Sequence, residues 1–427
     1  MRKMKNSGIE WIGQIPEDWN IWPTKRFFRH TKTLAGEQVD SYERLALTMN
    51  GVIKRSKDDS EGLQPEKFDT YQVLRENELV FKLIDLANVK TSRVGLSPYT
   101  GIVSPAYIIL TNDNEDNRFY YYYFMSMYYN EIFNNLGDNG VRSSLNAQDL
   151  LNIPIVDIPS SLQKRIADFL DDKCGKIDRY IEKQQKIIDK LKEYKQAVIT
   201  EAVTKGLNPD APMKDSGLKY KLDMPAHWEN RKVISILAMR VVDGAHESPE
   251  LFDEGVPYIS ATAIVNGKID FSQKRGFISP EYCDICDQRY VPHLDDILMI
   301  KLGASTGQVA MVETTNRFNI WVPLAAIRCN ESAYPKFVYY AFQSDYFIKQ
   351  MELSWTYGTQ QTLGVKTIER LRILIPSVEE QKQIADYLTE RCKMVDASIE
   401  KYQQIVDKLT VYKKSLIYEA VTGKLEV

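Results

Sequence analysis

Residues 163–170 (QKRIADFL) and 381–388 (QKQIADYL) carry nearly the same sequence, and the match continues without a gap to residues 207 and 425. The offset is constant, since 381 − 163 = 425 − 207 = 218, and roughly half of the aligned residues are identical. A shorter repeat precedes each copy: SGIEWIGQIPEDW starts at Ser7 and SGLKYKLDMPAHW at Ser216. Between these markers the two halves differ almost everywhere. The chain is therefore an internal duplication with conserved ends and divergent middles.

The repeated segments have the pattern of long helices. In the first copy the seam residues advance in steps of three and four through Cys174, Ile177, Ile181, Gln184, Ile188, Leu191, Lys195, Val198 and Ala202. The second copy repeats this seam from Leu388 to Ala420. Such a seam is typical of a coiled coil, and about 40 residues of helix span roughly 60 Å. A narrow apolar stripe cannot be buried alone, so we expect the two copies to pair antiparallel, or to pack flat against a globular core.

Length and composition indicate two domains with their own cores. A chain of 427 residues exceeds one ordinary domain, and 44% hydrophobic with 26% charged residues is typical of a globular protein. We predict α+β domains at 1–160 and 207–377, because short β-like runs such as Tyr107 to Leu110, Ile297 to Lys301 and Leu371 to Ile375 alternate with turns. The long helices occupy 161–206 and 378–427.

The N-terminus and the cysteines give two further expectations. MRKMKNSG is followed by no apolar stretch, so no secretory signal is expected and the chain is predicted to be cytoplasmic. Cys283 and Cys286 have the spacing of zinc ligands, but no second pair follows, and only His293 and Cys329 could complete a site. A helical turn that contains two thiols is the favoured interpretation.

Polar residues in the divergent middles are candidate nucleic-acid contacts. A net charge of −3 argues against a strong non-specific nucleic-acid binder but allows a local basic surface. KLGASTGQVA (301–310) has Gln308 where a phosphate-binding loop has lysine, so it is either a contact loop or a tight turn between strands. Arg, Gln and Ser side chains suit base edges and phosphates. The predicted DNA-binding residues are Lys54, Arg55, Arg93, Tyr99, Arg142 and Ser143 in the first half, and Lys274, Arg275, Ser305, Thr306, Gln308, Gln360 and Gln361 in the second.

Catalytic and stacking motifs are weak in comparison. RFYYYYFMSMYYNEIF (118–133) could offer rings for base stacking, but its spacing favours an amphipathic core helix. The sequence contains no Asn-Pro-Pro-Tyr or Asp-Pro-Pro-Tyr motif, no glycine-rich cofactor fingerprint and no histidine triad. We predict that the chain is not an enzyme.

Taken together, the ordered motifs resemble the specificity subunit of type I restriction-modification systems across essentially the whole chain. The resemblance is carried by the two opening motifs, the IPS-type junctions before QKRIADFL and QKQIADYL, the duplicated helices and GIVSPAYIIL in the first half. It implies two target-recognition domains, each reading one half of a split site in double-stranded DNA. The helices would be the spacer, and the C-terminal EAVTGKLEV would lie near the N-terminal NSGIEWIG.

The resemblance also implies partners and cofactors. Two methyltransferase subunits would bring S-adenosylmethionine, and two motor-nuclease subunits would use ATP and Mg²⁺, while this chain itself would hold no cofactor or metal. Because the two middles differ, the recognised site should be asymmetric. The alternative from the residues alone is a coiled-coil scaffold whose two globular ends bind proteins.

Overall fold

The computed structural model describes residues 2–59, 68–84, 86, 93–114, 116–136, 144–357 and 361–427. It divides into two compact units, each built from segments of both long helices. Unit 1 comprises Met1–Gln185 with Gln404–Val427, and unit 2 comprises Lys186–Gln403. Each unit mixes sheets with helices, which confirms the predicted α+β class. No helix in the described part of the chain is both long and apolar enough to cross a membrane.

In its described residues, unit 1 contains two sheets of three or more strands, two two-stranded sheets (β1-β2 and β11-β3) and a buried aromatic helix. Of the two larger sheets, one has the order β5-β4-β9-β6 and the other the order β10-β7-β8. The elements in chain order are β1 (Met4–Asn6), β2 (Gln14–Pro16), β3 (Asn20–Pro23), β4 (Arg44–Thr48), β5 (Gly51–Arg55), β6 (Gln72–Leu74), β7 (Leu79–Lys82), β8 (Arg93–Leu96), β9 (Gly101–Val103), β10 (Ile108–Leu110), α1 (Arg118–Tyr129), α2 (Ile132–Leu136), α3 (Ala147–Asn152), β11 (Pro154–Asp157) and the start of α4 (Ser160–Lys205), with 3-10 turns at Thr24–Arg26 and Gly36–Ser41.

Helix α1 is the aromatic segment, and it is a core helix as its spacing predicted. Phe119, Tyr120, Tyr123 and Phe124 are at most 1% exposed. The ring of Phe124 meets that of Phe81 on β7 edge to face, with centroids 5.0 Å apart. These rings therefore stabilise the domain by packing and are not surfaces on which bases could stack.

Unit 2 has the same composition of small sheets and helices. A four-stranded sheet has the order β15-β23-β20-β21, and a three-stranded sheet has the order β19-β16-β22. The elements are β12 (Met213–Asp215), β13 (Asp223–Pro225), β14 (Glu229–Lys232), β15 (Val242–Asp243), β16 (Val256–Ile259), β17 (Ile264–Val265), β18 (Lys268–Ile269), β19 (Gly276–Ile278), α5 (Pro280–Asp287), β20 (Ile297–Ile300), β21 (Val309–Met311), β22 (Asn319–Ile320), β23 (Leu324–Ile327), α6 (Pro335–Gln343), α7 (Asp345–Glu352), β24 (Thr356–Tyr357), β25 (Gln361–Thr362), α8 (Val365–Arg370), β26 (Arg372–Ile375) and α9 (Val378–Val421), with 3-10 turns at Val233–Ile236, Ala261–Ala263 and Phe271–Gln273.

The repeated segments form α4, of 46 residues, and α9, of 44 residues. Their predicted seam is confirmed: from Cys174 to Ala202 and from Leu388 to Ala420 every seam residue is buried or half-buried. The residues between them are mostly exposed. Each helix thus has a narrow apolar stripe, which fits pairing with one other helix.

Two lysine–aspartate pairs show that the helices run antiparallel. In unit 1 the ammonium of Lys413 on α9 lies 2.7 Å from Asp178 on α4. In unit 2 Lys195 on α4 lies 2.7 Å from Asp396 on α9. The two pairs are equivalent by the duplication, since 413 − 195 = 396 − 178 = 218, and both have the same register, since 413 + 178 = 195 + 396 = 591. The predicted antiparallel pairing and internal pseudo-symmetry are confirmed.

The end of each helix closes onto an opening motif. In unit 1 the Tyr418 hydroxyl and the Lys424 ammonium donate to the carbonyl of Ile12 at 3.1 and 2.9 Å. After α9, Gly423 has φ +73° and a Cβ there would meet Pro16 at 2.6 Å, so only glycine fits this turn. In unit 2 Gly206, with φ +75°, lies in the same way against Trp228. The predicted proximity of EAVTGKLEV to NSGIEWIG is confirmed.

The pairs of seam lysines generate the first prediction. Lys195→Asp places two carboxylates together, and we expect it to lower the free energy of unfolding of the full chain by about 1 kcal/mol, measured by urea titration. Adding Asp396→Lys restores the opposite charges and should recover most of the loss. A control is Lys176→Asp, whose partner Asp172 lies on the same helix. A double variant no more stable than Lys195→Asp alone would contradict the assignment.

Candidate nucleic-acid interface

The first candidate surface is the β4–β5 hairpin of unit 1. Arg44 pairs with Arg55 and Leu45 with Lys54 across the hairpin, and Gly51, with φ +93°, closes its turn. A surface cleft of about 410 Å³ is lined by Tyr42, Glu43, Arg44, Lys54, Arg55, Ser56 and Lys57. We call Arg44, Lys54, Arg55 and Lys57 the β5 basic cluster. The hairpin brings them together because Arg44 on β4 lies opposite Arg55 on β5, beside Lys54, and Lys57 follows the end of β5.

Carboxylates already pair with this cluster. Lys54 lies 2.5 Å from Glu43, and Arg55 donates from Nε to Asp59 at 2.5 Å. The bond to Glu43 raises the pKa of Lys54 above its ordinary value. The Lys54 ammonium also lies 5.1 Å from the ring centroid of Tyr99, so the structure brings these two predicted residues together.

The other predicted residues of unit 1 are not part of this cleft. Arg93 is half-buried on β8, where it pairs in register with Lys82. Burial raises the pKa of Tyr107 above its ordinary value, and the charge of Arg93 opposes part of this shift. Arg142 and Ser143 lie outside the described residues.

The second candidate surface is the loop between β20 and β21, residues 301–308, which we call the contact loop. Gly303 donates its N–H to the Gln361 carbonyl at 3.0 Å, and Leu363 donates to the Lys301 carbonyl at 2.8 Å. The Thr306 hydroxyl is turned inward and donates to the Gly303 carbonyl at 2.7 Å. Both glycines of the loop, Gly303 and Gly307, have positive φ.

The contact loop is thus a tight turn that also presents polar groups. Ser305 and Gln308 are exposed, whereas Thr306 is only 9% exposed and stabilises the turn. Gln361 on β25 is half-buried beside the loop. Gln360 lies outside the described residues. The structure therefore brings Ser305, Gln308 and Gln361 to one part of unit 2.

Lys274 and Arg275 directly precede β19, and each lies over an aromatic ring. Arg275 stacks on Trp321, with its guanidinium carbon 3.3 Å from the ring centroid. The Lys274 ammonium lies 4.6 Å from the ring centroid of Phe277. Stacking on a ring fixes the direction of a guanidinium without using its N–H donors on a carboxylate.

One charged group was missed by sequence reasoning: Asp243, His246, Arg289 and Lys301, here named the Asp243 cluster. Asp243 is 7% exposed and accepts from the Lys301 ammonium and from His246 Nε2, each at 3.1 Å. Arg289 donates from Nη2 to the Asp243 carboxylate and from Nε to its carbonyl, the latter at 2.9 Å. Burial raises the pKa of Asp243, but bonds and charge from Lys301 and Arg289 outweigh it, so the pKa lies below its ordinary value.

Cys283 and Cys286 lie on α5, the helical turn that the sequence favoured, and both are buried. Burial raises the pKa of Cys283 to about 11, so its thiol stays protonated at neutral pH. Among the described residues, no three or more His, Cys, Asp or Glu side chains come together as a metal site.

Comparison with known proteins finds similarity to type I restriction-modification specificity subunits. The sequence model described as the type I restriction modification DNA specificity domain matches residues 226–412. The chain is 27% identical over 252 residues to the EcoBI specificity subunit of Escherichia coli, covering 57% of this chain and 51% of that protein. It is 23% identical over 398 residues to the putative MjaX specificity subunit of Methanocaldococcus jannaschii, covering 88% and 87%.

Residues 226–412 therefore resemble the DNA specificity domain of type I restriction-modification systems. A chain from a solved structure concerned with complex assembly and conformational transition of the type I R-M system has the same fold, with a TM-score of 0.66 at 15% identity, covering 96% of this chain and 99% of that one. The alignment with the EcoBI subunit spans about half of that protein. The matched specificity domain includes the contact loop and the Asp243 cluster.

The β5 basic cluster leads to a second prediction. Glu43→Gln removes the carboxylate beside Lys54, so we expect duplex DNA of any sequence to bind more tightly. The slope of log affinity against log salt should steepen by about one phosphate contact. Filter binding at several salt concentrations measures both.

The control is Asp18→Asn, which removes the carboxylate 2.7 Å from Arg2 in the opening motif. An equal gain from both variants would reflect net charge alone and would contradict a role for the cluster.

Proposed function

We propose that this chain is the non-catalytic subunit that reads DNA sequence for a type I restriction-modification complex. Residues 1–160 and 207–377 are the two target-recognition domains, and each reads one half of a split site in double-stranded DNA. The observation that carries the proposal is the duplicated frame of helices and opening motifs, which encloses two different polar surfaces. Residues 226–412, in the second half of this duplication, match the specificity domain.

The difference between the two surfaces implies an asymmetric site. The β5 basic cluster and Tyr99 are the first surface, and Ser305, Gln308 and Gln361 belong to the second. Amide side chains form paired hydrogen bonds with adenine in the major groove, whereas Lys and Arg suit guanine or phosphates. The halves therefore recognise different bases.

The long helices carry exposed apolar side chains suited to partner subunits. On α9, Tyr387 and Met394 are 44% and 53% exposed, and on α4 Tyr180 is 58% exposed. We assign these helices to docking two methyltransferase subunits, which supply S-adenosylmethionine. Two motor-nuclease subunits that use ATP and Mg²⁺ complete the complex in the cytoplasm. With a net charge of −3, this chain leaves much of the phosphate contact to its partners.

The test of the proposal is methylation mapping of genomic DNA from the source cell, with and without this gene. We expect N6-methyladenine to disappear at one split, asymmetric motif. Loss at a palindromic motif would contradict two different readers. If no motif changes, a pull-down with the full chain separates the remaining cases: recovery of a methyltransferase indicates a silent complex, and recovery of other proteins alone favours a scaffold.

Gln361 gives a prediction at a single residue. Gln361→Ala removes a side chain that would hydrogen-bond one base edge. We therefore expect the preference for the correct base at one position of the second half-site to fall by about 1 to 3 kcal/mol. The measurement is competition binding of the complex with duplexes changed at one position at a time. Gln343→Ala is the control, because the Gln343 amide donates to Tyr339 within the domain. Equal weakening at every position would instead identify a phosphate contact.

A further inference from the structure

The Asp243 cluster contains more positive charge than its buried carboxylate balances. One lysine and one arginine, Lys301 and Arg289, both contact the single Asp243 side chain. The Lys301 side chain is only 9% exposed, whereas that of Arg289 is 49% exposed. The surplus charge therefore reaches solvent mainly through Arg289.

Two hydrogen bonds to one residue, Asp243, hold Arg289 in position. Its Nε and Nη2 both donate to Asp243, one to the carbonyl and one to the carboxylate. Gly244, the residue after Asp243, lies so close to the backbone of Ile320 and Trp321 that a Cβ at this position would overlap those atoms. This close packing fixes the segment that carries the Asp243 carboxylate. A guanidinium has five N–H donors, and these two bonds leave donors for a second acceptor in a known direction.

The cluster adjoins the contact loop. Lys301, bound by Asp243, is the first residue of that loop. Two residues beyond Asp243, Ala245 bridges Trp321, the ring on which Arg275 stacks. His246, whose side chain is 62% exposed, follows at once. Lys301, Arg289 and His246 therefore all contact Asp243, next to the start of the contact loop.

We propose that Arg289 binds a backbone phosphate of the DNA beside the contact loop, and that Asp243 is the residue that positions it. This inference rests on the proposed function. A phosphate is the ligand because a fixed guanidinium with donors in a fork matches its oxygens. Contacts of this kind set the register in which neighbouring side chains meet base edges, but carry no sequence information themselves.

The experiment uses the full complex and the motif found by methylation mapping. Affinities for the cognate duplex and a shuffled duplex are measured between 50 and 200 mM salt. Arg289→Gln should weaken binding to both duplexes by the same factor. Because one phosphate contact contributes about 0.9 to the salt slope, the advantage of the unmodified complex should shrink about 3- to 4-fold over this range. Arg289→Lys keeps the charge and should keep the slope.

Controls separate this contact from general effects. Arg231→Gln is matched, because Arg231 is a half-exposed arginine of the same unit paired with Glu229; it should leave the slope unchanged. An unchanged slope for Arg289→Gln, or a loss confined to one base pair, would overturn the proposal. A change also seen with Arg231→Gln would do the same. If the unmodified complex prefers no sequence at all, the proposed function fails instead.

Discussion

The structure depends on the antiparallel pairing of two helix segments, one from each half of the chain. Neither apolar stripe could be buried by its own helix, and the seam is polar at Lys195 and Lys413, which require an acceptor on the opposite helix. Asp396 and Asp178 supply that acceptor only in one direction and register. A polar seam residue of this type specifies pairing more than it adds stability. Each unit is consequently completed by residues more than 200 positions away.

A feature could be predicted from the sequence when it depends on residues that are close together along the chain. The seam, the antiparallel helices and α1 could be predicted because hydrophobic period is a local property repeated over many residues. The Asp243 cluster could not, because Asp243, Arg289 and Lys301 are separated by 46 and 12 residues and meet only when β15, α5 and β20 pack. The Glu43 partner of Lys54 was missed for a related reason: a strand pattern does not show which side chains meet across a hairpin.

The contacts between each domain and its long helix differ between the two units. In unit 1 Arg118 at the start of α1 bonds Asp116, Asp168 and Asp171, and Asp116 is the main cause of its raised pKa. The residue of unit 2 equivalent to Arg118 is Lys336, since 118 + 218 = 336. The residue equivalent to Asp171 is Thr389, since 171 + 218 = 389, and its hydroxyl accepts a hydrogen bond from Tyr340 at 3.3 Å. Similarly, Glu380 accepts from the Trp228 indole at 3.0 Å, whereas its equivalent in unit 1 is Leu162. Trp19 Nε1 is buried without a hydrogen-bond partner among the described residues.

These differences show what the duplication preserves. Packing of a tryptophan and a glycine turn at each helix end is kept, while ion pairs around it have changed, because an exposed pair contributes little to stability and its loss is tolerated. The same reasoning applies to the candidate DNA surfaces. Lys54 and Arg55 are paired with carboxylates that are themselves exposed or half-buried, so exchanging Glu43 or Asp59 for a phosphate costs little, whereas Asp243 is buried and stays with Arg289. The first surface can therefore rearrange on binding, and the second is already set.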